Sequence, residues 1–308
     1  MPESSSGPPP EEPLLPAEQV AADEARAGEG TASPSSSSEP GVGGEVLRVE
    51  RIAKSFGPIA ALHDINLTLK KGEVLGLLGD NGSGKSTLIK IITGFQKQDA
   101  GEMFLHGKPY EPKSVDDARE QGIDTVFQDL ALIDELSVYQ NMFLRRERVH
   151  KPIPFLSNAF MKKEARKALD EIGINIPRLD VPVARLSGGQ RQSIAVARTV
   201  YEEANIILLD EPLAAMGAKE GAMILELIQR LKEEGNVSII MVLHNYVHVL
   251  ATCDRVNLIQ DGRIGLDKPT AETSVEELTQ IVVDEYRRAR EEAVAADTAR
   301  AAPPTPAR

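Results

Sequence analysis

The stretch VLGLLGDNGSGKSTLIKII, residues 74–92, decides the fold of this chain of 308 residues. Residues 79–86 fill the pattern G-x-x-x-x-G-K-[ST] directly after an apolar run and directly before an apolar helical pattern. Glycines let such a loop fold closely around phosphate oxygens, while its N–H groups and the positive end of the helix form an anion nest. The sequence therefore predicts a phosphate-binding loop between a buried strand and a helix.

Two side chains of this loop carry specific chemistry. Lys85 is expected to reach the β- and γ-phosphates of a nucleotide, and the hydroxyl of Ser86 is expected to ligate Mg²⁺. The loop residues predicted to bind the nucleotide are Gly79, Asn81, Gly82, Ser83, Gly84, Lys85, Ser86 and Thr87.

A second motif, NIILLDEP at 205–212, is an apolar strand that ends in two adjacent carboxylates. Asp210 is placed to face Mg²⁺, and Glu211 is placed to polarise the attacking water as a general base. Apolar strands that end in acids are common, so this motif alone is weak evidence. Together with the phosphate-binding loop it predicts a P-loop NTPase.

The order of apolar segments predicts an α/β domain with a mainly parallel sheet. LRVERIAKSF and INLTL are expected to form an opening antiparallel pair, and buried strands are expected at 74–79, 123–127, 206–209, 237–243 and 256–259. Between about 130 and 200 the segments favour helix, which predicts an α-helical insertion. The predicted domains are a disordered tail at 1–45, the α/β domain at 46–272, a helix at 273–292 and a disordered tail at 293–308.

Charge and cysteine content indicate which partners and which compartment to expect. Nine acidic residues against Arg26 alone in residues 1–45 account for most of the net charge of −12, and the remaining body is near neutral. Nucleic-acid binding needs a clustered basic face, so we expect no nucleic-acid partner. A single cysteine, Cys253, fits a reducing compartment, and no run of about 18 apolar residues or signal peptide is visible. We expect a cytoplasmic protein that works at a membrane only through a partner.

The motif LSGGQ at 186–190 offers a second phosphate-binding helix start, formed by Ser187, Gly188, Gly189 and Gln190. Two such helix starts, so far apart in the sequence, are not expected to serve one nucleotide within one small domain. Two copies arranged head-to-tail solve this problem, with each nucleotide held by Lys85 of one copy and Ser187 of the other.

With these motifs the chain resembles the ABC ATPase family over about residues 46–270. The resemblance implies ATP as the nucleotide and a RecA-like P-loop NTPase core with an antiparallel β subdomain and an inserted α-helical subdomain. It also implies that Gln128 senses Mg²⁺ and the γ-phosphate, that His244 contacts the γ-phosphate, and that Phe56 stacks on adenine. For Phe56, a place in the hydrophobic core is the alternative interpretation.

Longer segments, such as TVFQDLALIDELSVYQNMFLRRE at 125–147, resemble the ATP-binding subunits of monosaccharide importers of the ribose, xylose and fructose group. The chain has one copy of each motif and resembles the single-domain branch, which implies a homodimer. The implied partners are transmembrane permease subunits, reached through the insertion, and indirectly an extracytoplasmic sugar-binding protein. The implied location is the cytoplasmic face of the membrane.

The chain departs from the family pattern after the catalytic acid. Many ABC proteins have a carboxylate where this chain has Gly217, which leaves the communication between the two sites open, and Leu213 replaces a frequent threonine. A non-hydrolysing regulatory cassette, an ABC ATPase for amino acids or export, and a soluble ABC protein acting on ribosomes or DNA remain alternatives.

Overall fold

The fold is described from a computed structural model that covers residues 44–127, 129–147, 149–150, 155–214, 216–284, 287 and 290. The strands in these ranges are β1 (Glu45–Phe56), β2 (Ile59–Lys70), β3 (Val74–Leu78), β4 (Ala100–Leu105), β5 (Lys108–Pro109), β6 (Ile123–Val126), β7 (Val149–His150), β8 (Phe155–Leu156), β9 (Ile206–Asp210), β10 (Ser238–Val242), β11 (Arg255–Gln260) and β12 (Arg263–Pro269).

Helices alternate with the strands of the main sheet. Within the described ranges they are α1 (Lys85–Ile92), α2 (Val115–Glu120), α3 (Val138–Met142), α4 (Asn158–Glu171), α5 (Gly188–Tyr201), α6 (Ala218–Glu234), α7 (Tyr246–Thr252) and α8 (275–284).

The main sheet has six strands in the order β12-β11-β3-β10-β9-β6. All neighbours pair in parallel except the edge strand β12, which is antiparallel to β11. Every residue of β3, β9 and β10 is buried, as expected for parallel strands covered on both faces. The predicted α/β architecture is confirmed, and the carboxyl ends of β3, β10 and β9 meet at one edge of the sheet.

A second, antiparallel sheet has the order β2-β1-β4-β5. The predicted pair at the start of the domain is confirmed as β1 and β2, which begin at Glu45. Strands β4 and β5 were not predicted from the sequence. A core of fully buried aliphatic side chains from β1, β2, α1 and β3 joins this sheet to the main one.

The insertion between β6 and β9 contains α3, α4 and α5, so the predicted helical subdomain is confirmed. The expectation of helix throughout is wrong at β7 and β8, which form a short antiparallel pair joining Val149 to Leu156. Strands of two residues are too short for an alternating pattern to be visible in a sequence. Apolar residues of α4 and α5 share one core with the main sheet and α6.

Only part of the predicted terminal segments lies within the described residues. Glu45 already belongs to β1, and the remainder of the predicted tails lies outside the described residues apart from Gly44. The predicted helix at 273–292 is described as α8 and residues 287 and 290, with Leu278 fully buried. Within the described ranges, the helices are too short or too polar to span a lipid bilayer.

Asn141 fastens the segment 133–137 to α3. Its side chain is fully buried. The amide nitrogen donates to the carbonyl oxygens of Ile133, Leu136 and Ser137 at 3.0, 3.1 and 3.2 Å. The amide oxygen accepts the backbone N–H of Ile133 at 2.8 Å. One buried polar side chain thus joins the backbone of this segment to α3.

We predict that Asn141→Ala lowers the free energy of unfolding by about 2–3 kcal/mol, because the fully buried amide loses its hydrogen bonds to the backbone and the smaller side chain leaves a cavity in its place. Urea denaturation followed by circular dichroism measures this loss. Asn236→Ala, at an exposed position, serves as the control and is expected to change the free energy by less than about 0.5 kcal/mol. Equal unfolding midpoints for the two variants contradict the role assigned to Asn141.

Candidate functional site

The phosphate loop runs from the end of β3 to the start of α1. Its backbone has positive φ at Gly79 (146°), Gly82 (86°) and Gly84 (107°). Residues with a Cβ atom rarely adopt positive φ, whereas glycine does so without steric cost. The three glycines therefore permit the sharp path of the chain at the carboxyl end of β3.

Close backbone contacts make two of these glycines irreplaceable. A Cβ at Gly79 would lie 2.2 Å from the carbonyl oxygen of Ile259, and one at Gly84 would lie 2.6 Å from that of Ala61. The turn after β11 fixes the loop, because the N–H of Gly262 donates to the carbonyl oxygen of Ser83 at 3.2 Å. Sequence reasoning missed this turn, although the dipeptide Asp-Gly at 261–262 is a typical turn signal.

Lys85 folds its side chain back over the loop. It is 5% exposed, and its ammonium group donates to the carbonyl oxygens of Gly79 and Asp80, both at 2.7 Å. Burial lowers the pKa of Lys85, while the negative charges of Glu211, Asp80 and Asp210 oppose this shift. A desolvated cation inside a glycine loop is well suited to bind phosphate oxygens.

Asp210 ends β9 close to Ser86 and Lys85. Burial is the main cause that raises the pKa of Asp210, and the charge of Glu211 adds to it, whereas a hydrogen bond from Ser86 and the charge of Lys85 act in the opposite direction. The Oδ1 atom of Asp210 is buried and has no hydrogen-bond partner. A carboxylate oxygen without a partner, next to a hydroxyl group, fits the oxygen donors that Mg²⁺ prefers.

Glu211 and His244 form a pair at the ends of two neighbouring strands, β9 and β10. The Nε2 atom of His244 lies 2.7 Å from the Oε1 atom of Glu211, within hydrogen-bonding distance. Glu211 has a left-handed backbone with φ of 53°, a conformation that costs energy for a residue with a side chain and is often found at active sites. A cavity of about 220 Å³ opens beside the pair and is lined by Glu211, Leu213, Ala214, Leu243, His244, Asn245 and His248.

Ser187 begins α5 as its N-cap. The Ser187 hydroxyl accepts the N–H of Gln190 at 3.3 Å, and the Gln190 side chain accepts the N–H of Ser187 at 3.1 Å, which completes a capping box. Ser187 and Gly188 are exposed, so this helix start is open to a ligand or to another chain. Gly189 is buried against α6.

The structure thus brings Lys85, Ser86, Asp210, Glu211 and His244 together at one sheet edge. Ser187–Gln190 belong to the helical insertion, where they start a different helix. The predicted residue Gln128 lies outside the described residues. Phe56, at the end of β1, is 46% exposed with the ammonium group of Lys54 5.7 Å from its ring centre, so it is not a core residue. Its stacking on adenine stays a prediction.

Comparison with known proteins places these motifs in context. The ABC transporter family model matches residues 62–214. The chain is 44% identical to the xylose/arabinose import ATP-binding protein of Sulfolobus acidocaldarius over 77% of this chain and 94% of that protein. It is 41% identical to the fructose import ATP-binding protein of Rhizobium meliloti, over 71% and 86%. A dimeric ATP-binding cassette in a post-hydrolysis state with ADP and Pi superposes with a TM-score of 0.62, at 27% identity, over 73% and 98%.

We predict that Gly79→Ala lowers the free energy of unfolding of the nucleotide-free protein by more than about 3 kcal/mol, because the new methyl group meets a backbone oxygen that cannot move freely. Gly82→Ala is the matched variant in the same loop. A Cβ there meets no atom within 4 Å, so only the positive φ costs energy, about 1–2 kcal/mol. Urea unfolding measures both. A loss at Gly79 no larger than that at Gly82 contradicts the close contact with Ile259.

Proposed function

Because the chain belongs to the ABC transporter family, we propose that it is the ATP-hydrolysing subunit that energises an importer for a monosaccharide. The observation that carries the catalytic part is the convergence of a phosphate loop, a carboxylate with one unpaired oxygen and a Glu–His pair at one sheet edge. The import part rests on the named functions of the xylose/arabinose and fructose relatives.

The residues of the site have distinct roles in hydrolysis. The N–H groups of the loop and the ammonium group of Lys85 hold the β- and γ-phosphates. Phosphate oxygens then replace the carbonyl oxygens as the hydrogen-bond acceptors of Lys85. Ser86 and Asp210 would hold Mg²⁺, which neutralises phosphate charge when it is bound with the nucleotide. Gln128 is proposed to join them.

Glu211 accepts a proton as water attacks the γ-phosphorus in line and the bond to the β–γ bridging oxygen breaks. His244, hydrogen-bonded to Glu211, is placed to orient this carboxylate and to contact the γ-phosphate. Glu211 directly follows β9 and His244 lies two residues after β10, and the parallel pairing of these strands brings the two side chains close together.

Two copies form the complete unit in this proposal. The exposed start of α5 at Ser187 and Gly188 lies on the helical insertion, apart from the loop that carries Lys85 on the main sheet. In a head-to-tail pair, Ser187–Gln190 of one copy would complete the nucleotide site of the other. The dimeric state of a solved ATP-binding cassette of similar fold supports the formation of a pair.

Transport requires further chains. We propose that permease subunits dock on the insertion near residues 128–147, that the chain works at the cytoplasmic face of the membrane, and that an extracytoplasmic sugar-binding protein delivers the cargo to the permease. The relatives named as import ATP-binding proteins support this view.

We predict that Glu211→Gln retains ATP binding but lowers turnover roughly 10²–10⁴-fold, the usual contribution of a general base. Phosphate release measures turnover, and binding of a fluorescent ATP analogue measures affinity. Lys85→Ala is the contrasting variant, because it should lose affinity for the analogue itself. Turnover of Glu211→Gln within tenfold of the unchanged protein contradicts the role of Glu211.

The sugar assignment needs a transport measurement. Cells that lack this chain are expected to lose uptake of labelled xylose, fructose or ribose, and uptake should return with the unchanged chain but not with the Glu211→Gln variant. Uptake of a labelled amino acid should stay the same throughout. Loss of amino-acid uptake with normal sugar uptake contradicts the assignment.

A further inference from the structure

The hairpin of β1 and β2 extends beyond the rest of its sheet. Within the described ranges, β4 pairs with β1 from Leu47 to Ala53 and no further along this strand. The last residues of β1 pair with β2, and Phe56 pairs with Ile59 at the end of the hairpin. A two-stranded hairpin is only marginally stable in water by itself, so its end needs a further contact to hold one position.

Asp99 supplies such a contact on the β1 side of the hairpin. Its backbone N–H donates to the carbonyl oxygen of Ala53 at 2.9 Å. Its carboxylate accepts the backbone N–H of Ser55 through Oδ2 and the ammonium group of Lys54 through Oδ1, both at 2.7 Å. One residue thus continues the pairing of β1 past Ala100, where β4 begins.

The carboxylate of Asp99 holds both the backbone and a side chain next to Phe56. The hydrogen bond from Lys54, and after it the hydrogen bond from the N–H of Ser55, lowers the pKa of Asp99, so its side chain is charged at neutral pH. Lys54 in turn places its ammonium group 5.7 Å from the ring centre of Phe56. Asp99 therefore fixes the residue that directly precedes Phe56 and the cation beside its ring.

The β2 side of the hairpin lies against the phosphate loop. A Cβ at Gly84 would lie 2.5 Å from a methyl carbon of Leu62 and 2.6 Å from the carbonyl oxygen of Ala61, both in β2. The ring of Phe56 is 46% exposed at the end of the same hairpin. An exposed aromatic ring on an element that packs beside a phosphate loop is suited to stack on the base of a bound nucleotide.

We propose that Asp99 is a positioning residue for the base of the nucleotide, because it fixes the end of the hairpin and so holds the ring of Phe56 where the base stacks. Asp99 acts through Ser55 and Lys54 rather than by touching the nucleotide. The inference rests on the predicted stacking of Phe56 on adenine and adds the residue that keeps the ring in place.

A purely structural role of Asp99 is the competing explanation. Asp99 is exposed, and an exposed ion pair contributes little to the stability of a fold. A general weakening of the domain would lower the affinity for ADP and for pyrophosphate alike, since both bind the phosphate loop. A misplaced ring lowers only the affinity for ADP, because pyrophosphate has no base. The comparison of these two ligands therefore separates the two roles.

The experiment uses the full-length chain and titration calorimetry with ADP and with pyrophosphate in the presence of Mg²⁺. ADP is the product of the proposed reaction, so turnover does not disturb the titration. Asp99→Ala removes the carboxylate, whereas Asp99→Asn keeps an oxygen that can accept the N–H of Ser55. Glu111→Ala is the matched control, because Glu111 is an exposed carboxylate whose ion pair with Lys97, at 2.7 Å, lies outside the hairpin.

We expect Phe56→Ala to weaken ADP binding roughly 5- to 150-fold, the usual contribution of stacking one base. Asp99→Ala should weaken it by at least about fivefold, because the ring loses its fixed position. Asp99→Asn and Glu111→Ala should stay within about twofold, since an exposed ion pair is worth little by itself. Pyrophosphate affinity should stay within about twofold in all variants, because the phosphate loop is unchanged.

A double variant shows whether Asp99 acts through the ring. Asp99→Ala combined with Phe56→Ala should bind ADP like Phe56→Ala alone, because two changes in one chain of contacts do not add. Losses of affinity that add up in the double variant contradict this connection.

Further results overturn the inference in different ways. If Asp99→Ala binds ADP like the unchanged protein, if Asp99→Asn is as weak as Asp99→Ala, or if pyrophosphate binding falls equally, the positioning role is removed and the stacking of Phe56 stays. If Phe56→Ala binds ADP like the unchanged protein, the stacking itself is overturned and the inference with it, whereas the proposed roles of Lys85 and Glu211 in hydrolysis are untouched.

Discussion

A buried ammonium group is the constraint on which the site depends. The ammonium group of Lys85 is buried away from water, so its nitrogen needs hydrogen-bond acceptors within the protein. In this structure it finds the carbonyl oxygens of Gly79 and Asp80, which only a loop of positive φ can present. The carboxylates of Asp210 and Glu211 lie close enough to oppose the lowering of the pKa of Lys85 by burial. The cation thus binds the backbone of the phosphate loop beside the acidic end of β9, and a triphosphate can take over its contacts.

Apolar periodicity explains how much of this arrangement the sequence predicts. Strands β3, β9 and β10 are buried on both faces and show as continuous apolar runs, and the phosphate loop follows from its glycines and lysine. Strands β4, β5, β7 and β8 were not predicted, because β4 is half exposed and the other three are only two residues long. The contacts of Gly262 with Ser83 and of Glu220 with Gly189 join distant segments, which no local pattern reveals. Exposure of Phe56 likewise depends on the packing of a whole sheet.

In the proposed head-to-tail pair, each chain carries two half-sites that face different nucleotides. One half lies at the edge of the main sheet, where Asp210 ends β9, Glu211 follows it and His244 follows the neighbouring strand β10. The other half is the start of α5 on the helical insertion. A Cβ at Gly189 would lie 2.9 Å from the Cβ of Glu220, so the start of α5 packs closely against α6. The account therefore needs two copies and one nucleotide at each junction.

Thiol crosslinking between copies tests this arrangement most directly. Asn81 and Ser187 are exposed, whereas Cys253 is buried with its pKa raised to about 12 by burial and is expected to be unreactive. Copies with Asn81→Cys are mixed with copies with Ser187→Cys, both in the Glu211→Gln background, and treated with a short bifunctional thiol reagent. The account predicts a crosslinked pair that contains one copy of each kind and forms only with ATP. No mixed pair at saturating ATP contradicts it.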